Sequence, residues 1–320
     1  MKPRDRLDPQ TRDGLDLFLA AVPGGFGAIA DIVERRAVAA QFLELMTANL
    51  PPNDQVICED RIIPGPVDNP DLAVRIYTPA QATGVRLPGI LMIHGGGMIM
   101  GSVDAEDLKA QAYCEAVGAV VVSTDYRKAP EHPYPAAPDD CYAALTWMVE
   151  HADELDIDVD RIAVFGGSAG GNLAISTTLR ARDLAGPSIA YLMAPYPMLD
   201  ERNDSPSSHE ISDLGIWDRA TNVEAWGWYL GDQTADAYAA PAHAANLAGL
   251  PPTFIDVGTL DAFRDEDIAF VGRLAQAGVP IEFHVYPGAF HASEVFAPNA
   301  ELSGRIIETR IAALRRALHG

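Results

Sequence analysis

The sequence predicts an α/β chain with a mostly parallel central sheet, helices on both faces and a helical cap. Three observations lead there. From residue 88 onward, short apolar runs alternate with helix-length stretches, the order of a parallel sheet with crossover helices. The runs at Gly89–Ile93, Ala119–Val122 and Arg161–Phe165 are continuous, as strands covered on both faces require. One stretch, 199–247, breaks the rhythm with no strand pattern, yet it holds Trp217, Trp226 and Trp228. So long an insertion between strands points to function.

Residues 11–50 read as helical, because Leu15, Phe18 and Leu19, and then Phe42, Leu45 and Met46, recur at helical spacing. Pro51-Pro52 ends that segment. Strands follow at Val56–Ile63 and Leu72–Tyr77, with Pro64-Gly65-Pro66 and Asp68-Asn69-Pro70 marking the turn. Further strands are expected at Gly89–Ile93, Ala119–Val122, Arg161–Phe165, Ser188–Met193, Thr253–Val257 and Ile281–Tyr286. Helices fit between them at about 104–117, 137–151, 169–183 and 264–277, and a last one runs over about 300–318. The expected division is therefore an α/β body of 51–198 and 248–320. Residues 1–50 and the insertion 199–247 make up the cap.

Composition narrows the function classes. Of the 320 residues, 48% are hydrophobic, enough for a sizeable core. No run of 18 uncharged apolar residues is present, so no membrane span is expected. The charged N-terminus lacks the apolar stretch of a signal peptide, which points to a cytoplasmic protein. A net charge of −22 repels phosphate backbones and argues against nucleic acid as a partner. Cys58, Cys114 and Cys141 are widely spaced and odd in number, a poor fit to a disulfide framework or a zinc site.

Gly166-Gly167-Ser168-Ala169-Gly170 fits G-x-S-x-G and lies between an apolar strand and a helical segment. In that setting the serine sits on a sharp, strained turn that presents its hydroxyl at the C-terminal edge of the sheet. A serine needs a base and the base needs an orienting acid, in the chain order Ser, acid, His. His291, after the last strand, is favoured as base. His284 lies within that strand, and His209 and His243 lie in the insertion. Among Asp256, Asp261 and Asp265, Asp261 is favoured. It alone occupies the loop at the strand's C-terminal edge, where ligand groups gather. His94-Gly95-Gly96-Gly97 follows a strand, and its glycines can turn backbone N–H groups toward one point. With Ala169, the residue after the serine, it is the candidate oxyanion hole. No Gly-Lys-Ser/Thr follows the glycines, so a phosphate loop is disfavoured.

Together these motifs, with Asp125-Tyr126-Arg127-Lys128-Ala129-Pro130-Glu131-His132-Pro133 and Asp261-Ala262-Phe263-Arg264-Asp265-Glu266, resemble the bacterial hormone-sensitive-lipase family of α/β-hydrolase carboxylesterases. The resemblance covers about residues 50–318. It implies the α/β-hydrolase fold and hydrolysis of short- to medium-chain carboxylic esters. It also implies the triad Ser168, Asp261 and His291, with oxyanion donors from Gly96, Gly97 and Ala169. The chain departs from the family pattern at Gly167, where Asp or Thr is usual, at Lys128, where Leu is common, and at Ala262 and Phe263, where Pro and Leu are common. The stretch from Tyr126 to Pro133 has no direct chemical role in this reading. Arg127 and Glu131 are expected to brace it, with one cis X-Pro bond.

The expected chemistry is acyl transfer through Ser168, with no metal or organic cofactor and a small ester as partner. Lactones, carbamates, amides or thioesters as substrates, and a non-catalytic ligand receptor on the same fold, are the alternatives. Trp217, Trp226, Trp228 and Tyr229 are the aromatics expected to narrow the pocket. The edge strand at Ile281–Tyr286 is a candidate homodimer contact, with a monomer as the alternative.

Overall fold

A computed structural model describes residues 2–320 except 49, 83, 85 and 213. Its helices, in chain order, are α1 (Pro9–Ala21), α2 (Ile32–Thr47), α3 (Val103–Val117), α4 (Ala136–Glu150), α5 (Ala169–Asp183), α6 (Pro206–Glu210), α7 (Arg219–Leu230), α8 (Arg264–Gln276), α9 (Ser293–Phe296) and α10 (Glu301–His319). The strands are β1 (Val56–Ile63), β2 (Leu72–Pro79), β3 (Leu87–Ile93), β4 (Val120–Thr124), β5 (Ile157–Gly166), β6 (Tyr191–Pro195), β7 (Thr253–Leu260) and β8 (Ile281–Phe290). They form one sheet in the order β1-β2-β4-β3-β5-β6-β7-β8. β2 pairs antiparallel with β1 and β4, and every other pairing is parallel.

The continuous apolar strands serve two cores because side chains alternate across a sheet. Leu91, Ile93, Val120, Val122, Ile162 and Val164 face one core, which α4, α5 and α8 help to close. Ile90, Met92, Val121, Ala163, Phe165 and Met193 face the other, closed by Tyr113 and Cys114 of α3 and Leu314 and Leu318 of α10.

The predicted helical segment 11–50 is two helices, α1 and α2, separated by residues 22–31. Pro23-Gly24-Gly25 breaks it, with Gly24 at φ 79° and Gly25 at φ 73°, a left-handed region cheap only for glycine. Gly25 also lies so close to the Gly215 carbonyl that a Cβ would fall 1.7 Å from its oxygen. That contact joins the N-terminal segment to the insertion. So do the Arg35–Glu224 ion pair at 2.7 Å and the stacking of Arg35 on Trp228. Phe18 meets Phe26, Phe42 and Phe296 edge-on, at 4.8–5.2 Å between ring centres. Such pairs contribute about 0.5–1.5 kcal/mol each beyond burial, which holds α1 and α2 on the body.

Two register facts position the site. Leu260 of β7 pairs with Phe290 of β8, so Asp261 and His291 leave the sheet side by side. Ile93 of β3 pairs with Gly166 of β5, so the glycine loop and Ser168 also emerge as neighbours. β8 runs four residues past its expected end at Tyr286. A register shift between Gly258 and Leu260 carries the pairing past Pro287-Gly288.

Candidate active site

Ser168 occupies the turn between β5 and α5 with φ 59° and ψ −121°, a conformation costly for any residue with a Cβ. Three backbone bonds hold it. Its N–H donates to the Pro195 carbonyl at 3.0 Å, and its own carbonyl accepts from Met198 and Asn172, each at 3.1 Å. The turn is also sterically closed. A Cβ on Gly170 would sit 2.1 Å from the Ile93 carbonyl oxygen, and one on Gly166 would sit 2.2 Å from that of Gly170. Only glycine permits this approach of helix and strands.

Ser168, His291 and Asp261 lie in one hydrogen-bonded chain. His291 Nε2 is 2.9 Å from Ser168 Oγ, and Nδ1 is 2.8 Å from Asp261 Oδ2. The other Asp261 oxygen accepts the Phe263 N–H at 3.0 Å. All three side chains are buried, Asp261 completely. The imidazole is flanked edge-on by Phe263 at 5.1 Å and Tyr196 at 4.9 Å.

The alternative bases and acids are occupied elsewhere. His284 bonds Glu282 at 2.9 Å, His243 bonds Glu201 at 2.8 Å, and His209 is exposed on α6. Asp256 is bound to Arg310, and Asp265 accepts the Ser207 N–H at 2.8 Å. Asp200, Glu201 and His243 have ligand atoms within 4.8 Å of one another, a spacing open to a metal. Asp200 accepts from Arg202 and Glu201 bonds His243.

The glycine loop approaches the serine at Gly95, where a Cβ would lie 3.6 Å from Ser168 Cβ. Gly96 has φ 106° and Gly97 φ 64°. Neither N–H reaches a backbone carbonyl among the described residues. Ala169 opens α5, where the first N–H groups have no acceptor within the helix. His94 anchors the loop from below. Its ring stacks on Tyr126 at 4.0 Å, and the Tyr126 hydroxyl donates to the His94 carbonyl at 3.0 Å.

The segment from Tyr126 to Pro133 is braced as its charges suggest. Arg127 forks onto Asp140, with contacts of 2.7 to 3.1 Å, while Glu131 binds Arg36 of α2 at 2.8 Å. The Ala129–Pro130 bond is cis, and so is Tyr134–Pro135, just beyond. Lys128 bonds Asp125 at 2.7 Å, and Asp125 lies 3.6 Å from His94 Nε2. Burial pushes the Asp125 carboxyl up, but His94 and Lys128 outweigh it and hold it at about 2.

Of the four aromatics expected to narrow the pocket, Trp217 reaches the triad. A Cβ on Gly97 would fall 2.2 Å from its Cη2, and its ring centre is 6.4 Å from that of His291. Trp217 Nε1 donates to Asn222 at 2.9 Å, which fixes the indole. Trp226 and Tyr229 are buried against each other, and Trp228 packs on Arg35. Sequence patterns did not single out Tyr196, Glu294 or Arg310 near the base, because none belongs to a short motif. Two surface clefts lie apart from these groups, one of about 310 Å³ where Gly27 and Gly215 meet and one of about 370 Å³ beside Arg127. The hydrogen-bonded chain, not cavity size, locates the candidate site.

Comparisons with known proteins bear on the family and the fold. A family model described as the α/β-hydrolase fold matches residues 90–295. Esterase LipI of Mycobacterium tuberculosis is 38% identical over 84% of this chain and 86% of its own. Carboxylesterase NlhH of the same species is 36% identical over 99% and 98%. The solved structure titled "Bacterial Heroin Esterase" superposes with a TM-score of 0.92, at 36% identity and 99% coverage of both chains. With a family model matched over well over half its length and esterase relatives along nearly all of it, the chain belongs to the α/β-hydrolase family, in its hormone-sensitive-lipase-like group.

Proposed function

We propose that this chain hydrolyses carboxylic esters by two-step acyl transfer through Ser168. The observation that carries the reading is the chain Ser168–His291–Asp261, with contacts of 2.9 and 2.8 Å. Asp261 holds the proton on His291 Nδ1, which leaves Nε2 to accept the serine proton as Oγ attacks the ester carbonyl. The new oxyanion is met by N–H groups of Gly96, Gly97 and Ala169. The protonated imidazole then gives its proton to the leaving alcohol. Water attacks the acyl-enzyme by the same path, and the acid leaves.

Residues 1–50 and 199–247 form the cap over this site, as their mutual contacts support. Trp217 sets the depth of the acyl pocket, so short to medium acyl chains are preferred. A series of aryl esters from acetate to laurate tests this. The wild type turns over acetate and butyrate best, and Trp217→Leu moves the optimum to longer chains. Good turnover of laurate with poor turnover of acetate by the wild type would reject it.

β8 is the last strand of the sheet, and its open edge supports a homodimer pairing β8 with β8. A monomer at every concentration in sedimentation equilibrium rejects that contact. No helix among the described residues is long and apolar enough to cross a membrane. Cys58, Cys114 and Cys141 are free thiols, which supports the cytoplasm as the compartment. Cell fractionation checks it, and recovery outside the cytoplasm rejects it.

A further inference from the structure

Behind His291 lies a buried ionic network that the acyl-transfer steps do not use. Arg310 of α10, 2% exposed, donates to both Asp256 oxygens at 2.7 and 2.8 Å and to Glu294 Oε1 at 2.5 Å. The same Glu294 oxygen accepts the Tyr196 hydroxyl at 2.5 Å. Taking three charged groups out of water is costly, and an apolar side chain would pack α10 without that cost. The network therefore calls for a role beyond packing.

Each member of the network converges on Tyr196. Its backbone N–H donates to the Asp256 carbonyl at 2.6 Å, its ring lies 5.2 Å from the Arg310 guanidinium, and its φ is 35°. The ring edge meets the His291 imidazole at 66°. On its other side it fills the room beside the nucleophile, because a Cβ on Gly167 would lie 3.3 Å from its Cε2. Glu294 sits three residues after His291, at the start of α9, so the network also ties down the segment that carries the imidazole.

We infer that Tyr196, anchored by Glu294 and Arg310, is a positioning residue that fixes the tilt of His291. The physical need is plain. The bonds of His291 to Asp261 and Ser168 lie at opposite ends of the ring and leave it free to roll about the line between them. Phe263 and Tyr196 block that roll from two sides. A base misaligned by a fraction of an ångström loses rate without losing substrate affinity.

The inference rests on His291 acting as the base, and the experiment separates the two. Tyr196→Leu removes ring and tether, whereas Tyr196→Phe keeps the ring and removes only the tether. Active sites are counted with an aryl phosphonate, and kcat and KM are measured on an aryl acetate. The expected result is kcat per site down about tenfold or more in Tyr196→Leu and about threefold in Tyr196→Phe, with KM within about twofold of wild type in both. Wild-type kcat per site in both variants would overturn the inference, even if their melting temperatures fall. If Tyr196→Leu does not fold, the Phe variant decides alone. Failure of the base assignment reads differently, as near-normal turnover by His291→Ala.

Discussion

The two sides of Ser168 are built by different means. On the proposed oxyanion side the groups are backbone N–H groups, those of the neighbours Gly96 and Gly97 and that of Ala169 next to the serine, with the loop shaped by glycines at positive φ and by contacts too close for a Cβ. On the base side they are side chains drawn from β7, from the residues after β8 and from α9 and α10, buried together with their charges. Ser168 and His291 are 123 residues apart in the chain, while Gly96 and Gly97 are neighbours. A backbone device is specified where it stands. A side-chain device is specified by the register of distant strands and by what packs behind it.

The contrast can be broken from either side. The largest loss is expected on the base side. Asp261→Asn keeps the shape but stabilises the wrong imidazole tautomer, so kcat should fall on the order of 10⁴-fold with the fold retained. Steady-state kinetics with an aryl acetate check it, and a loss below tenfold would sink the assignment of the acid. On the oxyanion side, Gly96→Ala places a methyl 2.4 Å from the Met100 carbonyl oxygen at a φ of 106°. The loop must move, and kcat should drop by about 10²–10³-fold, the cost of a lost donor. A drop confined to KM would show that the loop binds substrate without stabilising the oxyanion.

The smallest effect sharpens the comparison by testing charge alone. Asp267 of α8 is fully buried, and neither carboxyl oxygen has a hydrogen-bond partner among the described residues. Burial, with the Glu266, Asp261 and Asp256 charges, pushes its carboxyl well above the usual range. The folded chain therefore keeps a proton that the unfolded chain releases near pH 4. Stability falls as pH rises through the interval between that value and the raised folded one. Asp267→Asn removes this linkage, so its melting temperature should exceed wild type by about 2 °C or more at pH 8 and by less at pH 4. A gain independent of pH, measured by thermal scanning at both values, would contradict it.

The same contrast explains what was legible in the sequence. The Gly-rich loop and the elbow were readable because glycine is demanded by local backbone geometry. The central strands β3, β4 and β5 were readable from their continuous apolar runs, and β1 and β2 from the turn residues between them. Asp261 and His291 were chosen from chain order and from their place after a strand, although the Leu260–Phe290 pairing that sets them side by side was not visible. Nothing local in the last helix marks Arg310 as buried. Asp256 read as a rival acid until its partner 54 residues away was in view. The break between α1 and α2 was overlooked, because helical spacing on both sides masked Pro23-Gly24-Gly25. Gly167 read as a plain departure from the family pattern, and the Tyr196 ring beside it was not visible.

The central claim is that Ser168 carries the acyl group. Incubation with an aryl phosphonate, followed by intact mass and peptide mapping, tests it most directly. One phosphonyl group per chain is expected, on the peptide containing Ser168, with equivalent release of the phenol and no adduct on Ser168→Ala. An adduct on another residue, or esterase turnover by Ser168→Ala near the wild-type rate, would contradict it.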